Sequence, residues 1–222
     1  MDKTKLTGYM EFASVLSDYK LDTELKSLVT AAYETQIHTF GWPIAPVVYG
    51  NDFDPKPITN GVRVAISTVH DHAFDYWTLK RNGDFYILKS LFEDRRGEGK
   101  IFVDTRVIRT AEVFLRTAQL YKYLGVPTNK KIACHIEYGG LQNRVLAAAN
   151  PNRFFPIQRQ CSVNMVKKDF EQSIDYFLEP EGLKESVFET VRSITEMCDF
   201  FVPQKDEFVG HIIDEYLRGR IA

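Results

Sequence analysis

The dipeptide Asn82-Gly83 separates two segments in which apolar and polar residues alternate, and this feature restricts the fold more than any other. Such a pair is the strongest short-range signal for a β-hairpin, because both central residues of a type I′ turn need positive φ. A two-residue turn also fixes the register, since a shift of one residue moves every side chain to the other face. The predicted core face of this hairpin consists of Trp77, Leu79, Tyr86 and Leu88.

The second face of this hairpin carries both rings and cations. The same register places Lys80 opposite Phe85 and Tyr76 opposite Lys89. Cationic grooves with aromatic platforms bind single-stranded nucleic acid, so this face is a candidate contact surface. A helix packed over it would instead bury the rings, with the lysine stems covering them and the ammonium groups reaching water. The sequence favours the covered alternative.

The rest of the chain changes between helical and strand periodicity. The first 38 residues have helical spacing, with Phe12 and Leu16 on one face of a first helix and Asp22 as the cap of a second. Period-two alternation predicts strands at 62–68, 131–138, 141–147 and 162–166, the middle two paired about Gly139-Gly140. This order predicts an α+β fold: a mainly antiparallel sheet of about five to six strands with N-terminal, central and C-terminal helices.

The central helix is predicted from about Arg106 to Gly125, with Asp104 or Thr105 as its cap and Pro127 beyond its end. Its apolar stripe leaves three charged residues together on the side expected to face water. They are Arg109, Glu112 and Arg116.

Three units are predicted along the chain. They are an N-terminal helical segment (1–40), an α+β core domain (41–202) and a C-terminal helix (203–222). Two apolar stripes at helical spacing mark the C-terminal part, one of them ending at Cys198. Because an amphipathic helix needs something to cover its apolar face, a homo-oligomeric or partner-docking scaffold built on these helices is one functional hypothesis.

Charge is distributed unevenly. The formal net charge of -2 and the pI near 6.2 argue against a dedicated, strongly basic nucleic-acid binder. Residues 80–168, however, carry 17 Lys and Arg against 7 Asp and Glu, whereas residues 169–207 carry 3 against 11. A basic middle followed by an acidic segment is compatible with a nucleic-acid surface, and also with charge pairing inside one molecule. The candidate nucleic-acid-binding residues are Lys80, Phe85, Lys89, Arg95, Arg96, Lys100, His135, Arg144 and Arg153.

The three cysteines lie far apart in sequence. An odd count without CxxC spacing predicts free thiols at Cys134, Cys161 and Cys198, as in a reducing compartment. No segment approaches the ~20 apolar residues that span a bilayer, and the N-terminus has no apolar signal region. The sequence therefore predicts a cytoplasmic protein without a membrane partner.

Catalytic motifs find little support. His70, Asp71 and His72 could supply ligands to a divalent ion in a metal-dependent hydrolase, but no other histidine has matching spacing, so a polar turn is favoured. A nuclease arrangement of Asp84 with Glu98 and Lys100 is weakened by the glycines around Glu98. We predict no catalytic residue, no metal site and no cofactor.

Several ordered motifs carry a family resemblance. The stretches FDYWTLKRNGDFYILKSLFEDRR (74–96), KIFVDTRVIR (100–109), LGVP (124–127) and GGLQNRVLAAANPNR (139–153), with FGWPIAPVV (40–48) before them, resemble the C-terminal region of certain bacterial proteins. Those proteins carry a Schlafen-type AlbA-like domain, and their descriptions mention DNA binding, helix-turn-helix domains or ATP binding. The AlbA-like domain itself has no recognisable copy here.

The resemblance implies an accessory, sensor or assembly module in a prokaryotic regulatory or phage-defence setting, without implying an active site. The leading hypothesis is accordingly a non-enzymatic module that contacts RNA or DNA through its basic central surface. A second protein supplying an enzymatic domain, or further copies of this chain, are the expected protein partners.

Overall fold

The computed structural model describes residues 6–38, 42–50, 52–68, 73–96, 99–153, 155 and 157–220, without the side chains of Thr68 and Arg95. The strands are β1 (Tyr9–Leu16), β2 (Lys56–Ile58), β3 (Gly61–Thr68), β4 (Ala73–Lys80), β5 (Phe85–Ser90), β6 (Lys100–Phe102), β7 (Lys131–Gly139), β8 (Val145–Ala147) and β9 (Met165–Ser173). The helices are α1 (Leu25–Glu34), α2 (Glu93–Arg96), α3 (Val103–Tyr123), α4 (Ile174–Leu178), α5 (Pro180–Glu196) and α6 (His211–Leu217), with a π-helical turn at Lys205–Gly210.

Seven strands form one antiparallel sheet in the order β2-β3-β4-β5-β1-β7-β9, and β6 pairs with β8 in a separate parallel ribbon. The α+β class and the mainly antiparallel sheet are therefore confirmed, with more strands than expected. The additional central strand is β1, which the sequence assigned to a helix. Its residues Met10, Phe12 and Ser14 all point to the core, a period of two that pairing with β5 and β7 enforces.

The hairpin around Asn82-Gly83 exists, but its predicted register is wrong by one residue. Leu79 lies opposite Phe85 and Trp77 opposite Ile87. The loop has three residues, because Lys80 N donates to Asp84 O and only Gly83, not Asn82, has a positive φ (91°). A three-residue loop closed by a left-handed glycine replaces the type I′ turn.

This shift redistributes the side chains of β5 between the two faces of the sheet. Phe85, Ile87 and Lys89 point to the helix-covered inner face, whereas Tyr86 and Leu88 point outward. On the inner face Trp77 is fully buried and its Nε1 donates to Pro46 O at 2.8 Å. The outer face holds only a small apolar cluster. It is formed by Tyr9, Phe74 and Leu88, with Leu6, Tyr76 and Tyr86 at its margin.

The second predicted hairpin does not form. β7 pairs with β1 and β9, and β8 leaves the sheet to pair with β6. Gly140 allows this departure, because its φ is +72° and a Cβ there would lie 2.0 Å from Thr7 O. The strand predicted at 162–166 begins instead at Met165 and continues to Ser173.

Helix α3 lies across the inner face and is nearly enclosed by protein. It starts at Val103, three residues before the predicted start, and stops where predicted: Gly125 has a φ of +79° and Val126 N donates to Tyr121 O. Phe114 stacks on Phe177 of α4, with ring centroids 5.0 Å apart. The three charged residues expected on its wet side are all buried, because α1 and residues 42–47 cover that side.

The predicted apolar stripes of the C-terminal part exist, but they pack inside the molecule. Leu183, Val187, Val191 and Ile194 are each at most 1% exposed, and α5 and α6 both pack against α3. Ile212, Ile213 and Tyr216 of α6 are equally buried. The feature that motivated an oligomeric or docking scaffold is therefore satisfied within one chain.

The buried hydroxyl of Tyr121 should make the free energy of unfolding fall at high pH. It donates to Gly83 O at 2.8 Å and lies 2.9 Å from Ser14 Oγ, and burial raises its pKa far above the usual value near 10. Because the pKa of Tyr121 is higher in the folded state than in the unfolded state, the stabilising contribution is complete below pH 10. It is lost as the pH rises above 10, where the phenol ionises in the unfolded chain. We expect Tyr121→Phe to be ~1–2 kcal/mol less stable at pH 7, where two hydrogen bonds are lost.

Above pH 10 this stability gap between wild type and Tyr121→Phe should close by about 1.4 kcal/mol per pH unit, because only the wild type must keep a buried phenol protonated. Urea unfolding of both proteins between pH 7 and pH 11 measures the gap. A gap that stays constant over this range would contradict the assignment.

Candidate functional site

Two of the predicted nucleic-acid-binding residues are inside the protein. Phe85 is 1% exposed and packs against Trp77, with ring centroids 6.4 Å apart. Lys89 is buried beside Asp75, and its Nζ donates to both carboxylate oxygens at 2.7 Å. Burial lowers the pKa of Lys89, and the Asp75 carboxylate opposes that shift. The one-residue change in register accounts for both errors.

A second buried ionic group lies on α3. Arg109 Nη1 donates to Glu112 Oε2 at 2.6 Å and to Trp42 O at 2.9 Å. Arg116 Nη2 donates to Ala32 O and Ala45 O at 2.8 and 3.0 Å. Burial raises the pKa of Glu112, and it lowers that of Arg116 to about 9. These guanidinium groups hold α1 and the 42–47 segment onto α3.

Arg144, another predicted contact, is also structural. Its guanidinium pairs with Asp94 and donates to Gly140 O and, at 3.1 Å, to Lys100 O. It thereby joins α2, β6 and the loop after β7. Beside it, Glu93 accepts from Arg106 at 2.7 Å and from Phe102 N at 2.9 Å. Much of the basic excess of residues 80–168 is thus used inside the fold.

The remaining predicted residues do not form one continuous surface. Lys80 is exposed and pairs with Asp84 at 3.1 Å. His135 lies on the outer face of the sheet, with Nδ1 at 2.6 Å from Asp169 Oδ1. Within the described part of the chain, Arg96 and Lys100 have no carboxylate within 4 Å, and the side chain of Arg95 lies outside the description. Arg153 pairs with Glu215 at 2.6 Å.

Arg96 and Arg153 meet at a cleft of about 550 Å³ beside the first turn of α3. Phe92, Phe102 and Ile108 form its apolar part, and the Arg96 guanidinium lies 5.1 Å from the centroid of the Phe92 ring. The opposite wall is the 149–153 loop.

Asp104 holds that loop in place. Its carboxylate accepts from Ala149 N and Asn150 N, both at 2.9 Å, and also from Thr105 N. Thr105 also lines the cleft, and its buried Oγ1 has no hydrogen-bond partner among the described residues. Thr105 is 0% exposed, so this oxygen is closed off from the open space of the cleft.

This cleft was missed by the sequence reasoning. Its two walls come from residues 92–108 and 149–153, which are far apart in sequence, and the aromatic side chains that line it, Phe92 and Phe102, stand next to the predicted loop rather than in the predicted basic face. The signal that could have found it is the loop AANPNR (148–153), whose Asn and Pro residues favour turn conformations.

Two other clefts have less distinctive chemistry. One of about 500 Å³ on the outer face is lined by small residues with His135, Asp169 and Glu171. Cys134 also borders it, but its side chain points to the core and burial raises the pKa of its thiol, which disfavours a reactive thiolate. Another of about 590 Å³ lies between the start of α1 and the end of α3.

The prediction of three free thiols is wrong, since Cys161 and Cys198 form a disulfide and only Cys134 is free. Spacing along the sequence gave no hint, because the chain brings these two residues together through an isolated antiparallel bridge.

Metal chemistry receives no new support. In the described ranges no group of three His, Cys, Asp or Glu side chains could hold an ion. The candidate ligands His70, Asp71 and His72, and Glu98 of the nuclease pattern, lie outside the described residues. None of the helices that the structure describes has the length and apolar character of a membrane span.

Comparison with protein-family models, curated proteins and solved structures found no match to this chain.

Proposed function

We propose that this chain is a non-enzymatic accessory or sensor module that contacts nucleic acid at the cleft between α2, the start of α3 and the 149–153 loop. The observation that carries the proposal is Arg96, an exposed guanidinium without a carboxylate partner in the described structure, lying over the Phe92 ring. Bases stack on aromatic rings and on guanidinium planes, and each stacked base contributes ~1–3 kcal/mol.

The outer face of the sheet is a weaker alternative. Among the described residues it mixes four carboxylates with five cations: Glu11, Glu137, Asp169 and Glu171 with Lys56, Arg63, Lys80, Lys131 and Lys167. Interspersed charges of both signs leave little net attraction for a phosphate backbone. Lys100, exposed at the start of β6, supplies a further cation on the strand that ends at the Phe102 wall.

The resemblance described above favours a prokaryotic regulatory or phage-defence setting, in the cytoplasm, with an enzymatic partner protein or further copies of the chain. The packing of α5 and α6 does not support the hypothesis of an oligomer formed through these helices, since their apolar stripes are buried within the chain. In the cytoplasm the two paired cysteines would be expected as thiols, because that compartment keeps most thiols reduced. Alkylation and mass spectrometry of protein from freshly lysed cells would measure their state.

Fluorescence anisotropy with labelled single- and double-stranded RNA and DNA tests the nucleic-acid proposal. We expect binding at low salt that weakens as salt rises, because phosphate contacts release counterions. Arg96→Ala should weaken binding about tenfold, since it removes one cation and one stacking plane. Because Arg96 is exposed, its loss should leave the fold intact.

Lys122→Ala is the matched control. Lys122 is an exposed cation in the last turn of α3, ~20–27 Å along the helix from the cleft residues of α3, and its replacement should leave binding unchanged. Absence of binding at low salt, or equal losses in the two variants, would refute the proposed function.

A further inference from the structure

We infer that the cleft is a pocket for a single nucleotide carrying one phosphate, either a free nucleoside monophosphate or the terminal nucleotide of a strand. The inference rests on the proposed function and names its ligand. A cleft of about 550 Å³ lies within the ~300–1,000 Å³ of small-ligand sites, which are mostly apolar with a few polar groups. A volume of this size accommodates one small ligand.

The apolar part of the cleft suits a nucleobase. Phe92, Phe102 and Ile108 supply the apolar surface. The guanidinium of Arg96 offers a second plane on which a base can stack. The cleft also offers polar groups for a base edge, because Asn150 and Asn152 line the same space and an amide can both donate and accept hydrogen bonds.

The charged groups limit how many phosphates can bind. Among the described residues that line the cleft, the cations are Arg96 and Arg153, but Arg153 Nη2 is 2.6 Å from Glu215 and its Nη1 is 3.7 Å from Asp104. These two carboxylates offset part of the positive charge. One phosphate can be held by Arg96 and shared with Arg153, whereas the further charges of a triphosphate would meet Asp104 and Glu215.

Isothermal titration calorimetry with AMP, GMP, CMP and UMP, alongside ATP and inorganic phosphate, tests this inference. We expect at least one monophosphate to bind more tightly than ATP, and inorganic phosphate to bind more weakly than either. Arg96→Ala should weaken monophosphate binding about tenfold.

Phe92→Leu is the diagnostic variant. It keeps an apolar side chain but removes the ring on which a base can stack, so binding of the monophosphate should weaken by about tenfold while binding of inorganic phosphate stays unchanged. A lower melting temperature with unchanged monophosphate binding would show that the ring serves packing alone and would overturn the inference. Phe200→Leu, at a ring that is 93% exposed and lies outside the cleft, is the control for both measurements.

The outcomes separate this inference from the proposed function. Binding of RNA or DNA without any binding of monophosphates overturns the inference and leaves the proposed function standing. Binding of monophosphates without any binding of polymers supports the inference and overturns the nucleic-acid proposal. Equal binding of inorganic phosphate and monophosphates overturns the inference, since the apolar part would then contribute nothing.

Discussion

Replacing Lys89 with methionine should lower the free energy of unfolding by about 3–5 kcal/mol. The Asp75 side chain is 5% exposed in the wild-type structure. The substitution leaves its carboxylate without the ammonium group that donates to both of its oxygens. A buried carboxylate that loses its counter-ion keeps the full cost of leaving water. Urea or guanidinium unfolding at pH 7 measures the loss, and a fall in melting temperature should accompany it.

Two controls make this prediction specific. Lys80→Met breaks an exposed pair with Asp84 and should cost less than about 1 kcal/mol. The double variant Lys89→Met with Asp75→Leu removes both charges, and it should recover most of the stability, because apolar replacements of a buried pair are often neutral. If Lys89 were an exposed nucleic-acid contact, as the sequence register predicted, Lys89→Met would leave stability unchanged and reduce binding instead.

Local signals in the sequence predicted the existence of elements better than their pairing. Asn82-Gly83 correctly marked a hairpin, but a glycine with positive φ serves both two- and three-residue loops, and only the packing of Phe85 against Trp77 selects between them. β1 was assigned to a helix because its apolar residues satisfy both periods. It forms a strand because it pairs with β5 and β7 on either side, and these strands lie more than 60 residues further along the chain.

The charged residues were the least predictable from sequence. An arginine at helical spacing beside apolar residues is usually solvent-exposed, since charged groups are rarely buried unless paired. In α3 the partners of Arg109 and Arg116 include backbone carbonyl groups of Trp42, Ala32 and Ala45. A count of charged residues does not include backbone carbonyl groups. A basic stretch in a sequence therefore does not predict a basic surface until it is known which of its cations bind carboxylates or carbonyl groups inside the fold.

The Cys161–Cys198 disulfide should contribute about 4 kcal/mol to stability, because it closes a loop across a sequence separation of 37 residues in the unfolded chain. The double variant Cys161→Ala with Cys198→Ala should show this loss in urea unfolding, as should the wild type after treatment with dithiothreitol. The reductant should leave the double variant unchanged, and this comparison separates reduction from other effects of the reagent. A wild type that is indifferent to the reductant while its thiols become fully alkylated would contradict the assignment.

The same disulfide has a consequence for the cleft. Arg159 O accepts from Leu146 N, and Gln160 N donates to Asp199, so the segment beyond the 149–153 loop is fixed between β8 and the end of α5. Cys161 adjoins this segment, and its bond to Cys198 adds a covalent link to the end of α5, while Arg153 of the loop pairs with Glu215 on α6. We expect reduction to weaken ligand binding at the cleft as well as stability, and calorimetry with the best-binding monophosphate, with and without reductant, would measure it. Unchanged binding in the reduced, folded protein would show that hydrogen bonds alone hold this wall in place.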